Sequence, residues 1–324
     1  MTKFLTRTIL LGCVLASSSV FAQSYPSRTV TIVVTSAAGG LTDVLSRAVG
    51  QRLSQIWGQT VVIENRGGAG HNLAATAVKA AVPDGTTLLA TETGMMTIQP
   101  HLHAKGKLSY DPATDFIPVS GFAAIPMALL ANPAVPAKSV SELIALAKEK
   151  PNSVSFGTAG LGTAPHMGAL LLESLTGAKL TAIHYRGANP ALNDVIAGHI
   201  NMITMGPSIA LPAVRAGKLN MLGFGSTERV PQFADVPTIA ESVPGYEARV
   251  AFGLFAPAGT SRDIVNKINA DVQKILSEPA FREKMLDPQV LQPLRGTPEA
   301  YGQYLQAESA KWSKVIGEAK LKID

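Results

Sequence analysis

The chain has 324 residues, 46% of them hydrophobic and 6% aromatic, with a formal net charge of +5 and one cysteine. That length is ample for two α/β domains, and a single cysteine excludes an intrachain disulfide framework. The charges are scattered, without the basic cluster or aromatic platform that a nucleic-acid surface needs, so no nucleic-acid partner is expected.

The first segment, "MTKFLTRTILLGCVLASSSVFA", pairs Lys3 and Arg7 with an apolar run and then Val20-Phe21-Ala22. This pattern predicts a secretory signal over residues 1–22, cleaved after Ala22, and hence a periplasmic protein. "LLGC" also invites lipidation at Cys13, but the run between Arg7 and Cys13 is shorter than the h-region of about 7–15 residues. Removal of the signal takes two positive charges and the only cysteine with it.

After the signal, strands and helices alternate. "TVTIVV" (29–34) is apolar on both faces, as a buried parallel strand is. The helix after Gly40 places Leu41, Val44, Leu45, Ala48, Leu53 and Ile56 on one side. "TVVIEN" (60–65) predicts a second strand, Leu73 to Ala81 a helix stopped by "PDG" (83–85), and "TTLLATET" (86–93) a third strand. A second series follows "NPAVPAK": a capping box at Ser139–Glu142 opens a helix that Pro151 ends. The strands "SVSFGTAG", "KLTAIHY", "NMITMG" and "LNMLGFG" then alternate with helices, and Gly177, Gly198 and Gly217 sit where a left-handed C-cap favours glycine.

"VAFGLFAPAG" (250–259) reads as a long strand, and two amphipathic helices follow without a sheet of their own. They are expected to pack back on the first unit. The chain then crosses twice, near 122–130 and 247–254. Two α/β lobes with two crossovers make a hinge and a cleft: residues 23–124 and 248–324 as lobe 1, and 125–247 as lobe 2.

Most enzyme chemistry fails on spacing. "RGGAGHN" (66–72) and "GTAGLGTA" (157–164) fit neither G-x-G-x-x-G nor the P-loop. "GPSIA" (206–210) misses the nucleophile elbow: it lacks the last glycine and has Pro207 before Ser208, which reads as a helix-start hydroxyl. His101-x-His103 has no Asp, Glu or Cys at ligand spacing. Neither a cofactor nor a metal is expected. What remains are polar strand-to-helix turns: "TSAAGG" (35–40), "TETG" (91–94), "GTAGLGT" (157–163) and "YRGANP" (185–190). In an open α/β sheet these lie at the carboxyl edges of the strands, where orphan N–H groups and helix dipoles suit an anion. His166, in the first turn of its helix, could donate into the cleft or satisfy its own loop.

"YPSRTVTIVV", "AAGGLTD", "VVIENRGGAG", "PDGTTLLATETG", "YDPATDFIPVS", "PAKSVSELIALAKEKP", "SFGTAGLGTAPHM", "IHYRGANPALNDVIAGHI" and "DVPTIAES" occur in this order. Together they resemble the Bug proteins, periplasmic substrate-binding components of tripartite tricarboxylate transporters. The resemblance implies a two-lobed Venus-flytrap fold of the type II-like periplasmic binding class. It implies a small carboxylic acid as ligand, a monomer, and delivery to a large and a small membrane subunit. It places the ligand against Ser36, Ala37, Ala38, Gly39 and Gly40 in lobe 1, with Glu92, Thr93 and Gly94 beside them. In lobe 2 the corresponding groups are Thr158, Ala159, Gly162 and Thr163, then Tyr185, Arg186 and Gly187, with His166, Thr204 and Ser208 completing the cleft.

Some positions depart from the family pattern. Ser36 stands where bulkier residues are usual, Thr204 where many members have Asp, and Glu92 where a small polar residue is common. With Met95, Met96 and Met205, these changes lean towards an aromatic or longer aliphatic acid. Glu92 reads either as a partner for a ligand ammonium or as a rim residue, and Arg186 either as a partner for a second carboxylate or as a solvent-facing cation. Asp43 is expected to orient the first turn rather than to touch an anion. The competing functions are a ligand-presenting sensor for a membrane receptor and a secreted α/β hydrolase.

Overall fold

The computed structural model describes residues 25–68, 71–104 and 106–323, so the expected signal segment and Cys13 lie outside the described residues. In chain order the first strands are β1 (Val30–Val34), β2 (Val61–Asn65), β3 (Thr87–Glu92), β4 (Phe116–Pro126), β5 (Ala128–Ala131) and β6 (Val154–Thr158). They are followed by β7 (Leu180–His184), β8 (Met202–Met205), β9 (Asn220–Phe224), β10 (Arg249–Pro257) and β11 (Gln292–Pro293). The helices begin with α1 (Leu41–Trp57), α2 (Asn72–Lys79), the short α3 (Gly94–Thr97), α4 (Gln99–Leu102) and α5 (Pro112–Asp115), and α6 (Val140–Glu149). Then come α7 (Ala164–Thr176), α8 (Ala188–Ala197), α9 (Pro207–Arg215), α10 (Arg262–Ser277), α11 (Pro279–Phe281) and α12 (Pro298–Glu318).

These strands form two sheets, ordered β11-β4-β10-β3-β1-β2 and β7-β6-β8-β5-β9. In the first, β1 pairs parallel with β2 and β3, while β10 runs antiparallel to both β3 and β4. In the second, β6 pairs parallel with β7 and β8, and β5 runs antiparallel to β8 and β9. Alternation along β1 explains its all-apolar sequence. Val30, Ile32 and Val34 join the core under α1 and α10, while Val33 joins the core under α2 and α12. Burying each such side chain contributes about 2 kcal/mol. Within α1 the buried face takes Leu45, Val49 and Leu53, whereas Val44 turns out to be 37% exposed. Ser139 caps α6 as expected by accepting from Glu142 N–H, but the Glu142 carboxylate reaches Lys138 N–H instead of closing the box.

The registers fix how the sheets face each other. Pro126, the last residue of β4, pairs with Arg249 at the start of β10, which lies at the carboxyl edge of β3. Ala128, the first residue of β5, pairs with Met205 at the carboxyl end of β8. One residue, Met127, therefore joins the carboxyl edges of the two sheets. The return passage meets it there: Gly225 N–H donates to Met127 O (2.7 Å), Ala248 N–H to Gly225 O (2.9 Å), and Met127 N–H to Ala248 O (3.3 Å). The turns that leave β1, β2 and β3 thus share one junction with those that leave β6, β7 and β8.

The tail departs from expectation in one respect. α10 and the first half of α12 pack on the first sheet, with Tyr301 and Leu305 in its core. Further along α12, Trp312, Val315 and Ile316 join Met167, Leu171 and Tyr246 in the core of the second sheet. A single helix therefore spans both bodies. No helix among the described residues is long and apolar enough to cross a membrane.

Candidate functional site

Helix capping singles out the junction. Of the helices with eight or more residues among the described residues, α6, α10 and α12 open away from it, and each has a side-chain cap, from Ser139, Ser261 and Thr297. The five that open at the carboxyl edges, α1, α2, α7, α8 and α9, have no side-chain cap bond. An N-cap hydroxyl or carboxylate is worth about 1 kcal/mol, and here it is missing five times in one region. Orphan N–H groups and the positive ends of five helix dipoles gather there instead.

Asp43 shapes the first turn. Its carboxylate accepts from Gly39 N–H (2.9 Å), Asn65 Nδ2 (2.8 Å) and Arg47 Nε (3.0 Å). Burial alone would raise its pKa, but the hydrogen bonds from Arg47, Gly39 and Asn65 outweigh burial and hold the carboxyl below the ordinary range. The acid is thus consumed within the protein. Ala37, Ala38 and Gly39 are exposed, Gly40 is half-buried, and the Ser36 hydroxyl is enclosed without a hydrogen-bond partner. A buried hydroxyl left unpaired costs about 1–3 kcal/mol, so Ser36 stands ready for an acceptor.

Sequence reasoning missed two contributors to this turn. Asn65 Nδ2 also donates to Ser36 O (3.1 Å). Gly67 lies so close that a Cβ there would sit 3.0 Å from Ala37 N. The signal is the glycine run "RGGAGHN" that follows the second strand. His71, in the same loop, places Nε2 3.7 Å from a carboxylate oxygen of Glu92, whose side chain is 44% exposed at the rim.

In the second sheet the Thr158 hydroxyl shares a hydrogen bond with His184 Nδ1 (2.7 Å) and accepts from Gly160 N–H (3.2 Å). The Thr163 hydroxyl bonds Gly160 O (2.7 Å), and Tyr185 OH bonds Asp194 (2.6 Å). Gly162 holds φ +71, and a Cβ there would lie 2.5 Å from Leu102, so only glycine fits. Ala159 and Gly187 are half-buried in these turns, and Arg186 is exposed, with no hydrogen bond or ion pair to the described residues. Ser208 is half-buried at the second position of α9, whose N-cap is Gly206, so it is not the helix cap.

The structure buries several of the expected contacts within the protein. Thr204 is 2% exposed and bonds Pro165 O (3.1 Å), tying β8 to α7. Met95, Met96 and Met205 are core residues, because the short turn of α3 and the end of β8 fold onto their sheets. Thr93 is buried, donating its N–H to Ala251 O, and Gly94 begins α3. Two cavities of about 1020 and 790 Å³ run along α12, but neither touches these turns.

Residues 45–321 match the family described as the tripartite tricarboxylate transporter family receptor. The chain belongs to that family. It is 31% identical to Protein BugT of Bordetella pertussis, with 94% of each chain covered. Among solved structures, R. palustris Rpa4515 with adipate is 34% identical with a TM-score of 0.75, covering 92% of this chain and 99% of its own. MatC from Rhodopseudomonas palustris with bound malate is 34% identical with a TM-score of 0.71, covering 90% and 100%. This tripartite tricarboxylate receptor is a two-lobed solute-binding protein of the periplasmic type, not an enzyme.

His166 shows how the receptor holds its second-lobe turn. Its Nδ1 accepts from Gly162 N–H (3.0 Å), and the ring lies edge-on to His184, 4.9 Å away. Burial, with His184 adding to it, lowers its pKa to about 4. Because this value lies below the ordinary 6.5, the unfolded chain takes up the proton first. Stability is therefore full above about 6.5 and falls as pH drops towards 4, by about 2 kcal/mol after allowing for water access. Urea midpoints at pH 7.5 and 5 should show this slope, and His166→Asn, which keeps an acceptor near Gly162, should flatten it. An unchanged slope would assign the pH dependence to other groups.

Proposed function

We propose that this receptor captures a small mono- or dicarboxylic acid, aliphatic or aromatic, between the carboxyl edges of its two sheets. It then hands the acid to the large and small membrane subunits of a tripartite-type transporter. The observation that carries this reading is the group of five uncapped helix N-termini around one junction, with the unpaired Ser36 hydroxyl among them. Such a site favours an anion that accepts several N–H bonds at once. The family supports the transporter as partner, and the adipate and malate carried by two relatives support the ligand class. Export by the segment 1–22, with cleavage after Ala22, belongs to the same reading.

A thermal-shift panel of carboxylic acids tests it. A ligand at 100 times its Kd raises stability by about 2.7 kcal/mol, so at least one acid should shift the melting curve clearly. Ser36→Ala should weaken that acid about tenfold, since a hydrogen bond to a charged acceptor is worth about 1.5–3 kcal/mol. The unliganded variant should melt no lower than the parent, because the hydroxyl has no partner among the described residues. Uptake of the labelled acid should fail in a deletion strain. Binding with unchanged uptake would leave capture standing and remove the transporter.

A further inference from the structure

The helix α12 ends differently from α1, α7 and α8, which each finish on a left-handed glycine: Gly58, Gly177 and Gly198. After α12 the left-handed residue is Lys320, at φ +51. Lys320 N–H donates to Gly317 O (3.2 Å) and Leu321 N–H to Ile316 O (3.1 Å), the two bonds of a closing turn that favours glycine. A side chain bearing a Cβ is strained in that conformation. Beyond it the tail alternates. Leu321 and Ile323 are half-buried against the second core, while Lys320 and Lys322 are exposed.

Both lysines line the cavity of about 1020 Å³, with apolar groups from Pro100, Leu108, Tyr110 and Leu321. This cavity shares Pro100, Asp111 and Pro112 with the one of about 790 Å³, so the two form a single groove along α12, a helix about 30 Å long. The other ionisable groups of the groove already have partners. Asp115 accepts from Lys79 Nζ (2.9 Å) and Asp111 N–H (2.7 Å), Asp111 accepts from Ala113 N–H (2.9 Å), and Arg262 pairs with Glu299 (2.5 Å). His101 bonds Ser309 (2.8 Å) and His103 bonds Gln99 (3.0 Å). Lys320 and Lys322 have no hydrogen bond or ion pair to the described residues. A groove with an apolar lining and two unpaired cations at its end complements an acidic segment.

The groove also backs onto the second-lobe turn. Leu102, between the two histidines in sequence, is fully buried, and a Cβ on Gly162 would lie 2.5 Å from it and 3.3 Å from Ile323. Ile323 N–H donates to Leu102 O (2.9 Å), and Ile323 bridges to His103. A shift of the turn from Gly157 to Thr163 therefore moves the wall that carries Lys322.

We propose that this groove is the docking surface for an acidic extracytoplasmic loop of the transporter's membrane subunits, with Lys320 and Lys322 meeting its carboxylates. This inference rests on the transporter reading above and names the surface and the chemistry of the contact.

Vesicles loaded with the large and small membrane subunits, and empty vesicles of the same lipid, test it. The parent should bind the loaded vesicles, less tightly as salt rises. Lys320→Gly should bind about threefold more weakly yet melt higher than the parent, because glycine relieves the left-handed turn. Lys320→Gly with Lys322→Glu should weaken binding about tenfold, whereas Lys148→Glu, on an exposed lysine of α6, should bind as the parent does. All three should keep the parental thermal shift with carboxylic acids. Parental binding by the double variant overturns the docking surface and leaves the transporter reading intact. Equal binding to empty vesicles would assign the lysines to a lipid surface. A parent that dimerises while the double variant stays monomeric would assign the groove to a second copy. Either result overturns the proposal. A parent that binds no loaded vesicle overturns the transporter reading with it.

Discussion

Replacing Asp43 with alanine is expected to cost the receptor about 2–4 kcal/mol of stability and to abolish its response to ligand. The carboxylate is 2% exposed and accepts hydrogen bonds from three different segments: the turn at Gly39, the strand end at Asn65 and the helix at Arg47. Removing it takes the acceptor from the Gly39 N–H and leaves Asn65 Nδ2 with Ser36 O alone and Arg47 with Asn65 Oδ1 alone. Donors without acceptors are the costly outcome in a half-closed site. The Gly39 amide would no longer be held, and with it the outline of the turn from Ser36 to Gly40. Asp43→Asn should be milder, since it keeps an acceptor oxygen but loses the charge that attracts Arg47. The pH sense follows from the lowered pKa. The contribution is full above the ordinary aspartate value of 3.8 and is lost as pH falls through the lower folded value. Urea unfolding and the ligand-induced thermal shift check both halves. Parental values in Asp43→Ala would mean that the turn keeps its shape unaided.

The difference between what Asp43 and Thr204 do shows where sequence reading stops. Asp43 lies in the first turn of a helix after a Gly-rich stretch, and local rules suffice to give it an orienting role. The hydroxyls of Thr158, Tyr185 and Thr204 looked equally available, yet their partners are His184, Asp194 and the Pro165 carbonyl. Those partners lie 26, 9 and 39 residues away in the chain, and only the folded arrangement reveals them. The same holds for the methionines, whose side chains a sequence can count but cannot aim.

At the level of elements, β1 to β3 and β6 to β9 were legible because apolar runs ended in clear turn signals. β4 was not, since Pro118, Gly121 and Pro126 punctuate it and make it read as a linker. It tolerates them because its partner β10 changes register twice alongside it. α12 was visible as an amphipathic helix, but its apolar stripe meets two different cores in turn. Periodicity reports a buried face and says nothing of how many bodies bury it.

The junction between the two sheets supplies the other large effect. Gly225→Ala is expected to destabilise the receptor by about 2–4 kcal/mol and to disturb its closure on ligand. A Cβ at Gly225 would lie 2.5 Å from Ala248 O and 3.3 Å from both Ala248 C and N. The obstruction is backbone, so no side chain can swing aside to relieve it. Ala248 cannot retreat freely either, because its own N–H and carbonyl are bonded to Gly225 and Met127. The added methyl must therefore loosen the triple clasp where both passages between the sheets meet, and the strain falls on the angle between the lobes. Gly317→Ala is the contrasting case. It lies in α12 with nothing within 4 Å of its Cβ position, and alanine there should stabilise by about 0.5–1 kcal/mol. Melting curves should separate the two variants in opposite directions. Solution scattering with a saturating acid should show less compaction for Gly225→Ala than for the parent. A Gly225→Ala protein that melts and compacts as the parent does would show that the clasp yields at no cost, and that closure pivots elsewhere, since α12 and the segment from Met95 to Leu102 also join the two cores.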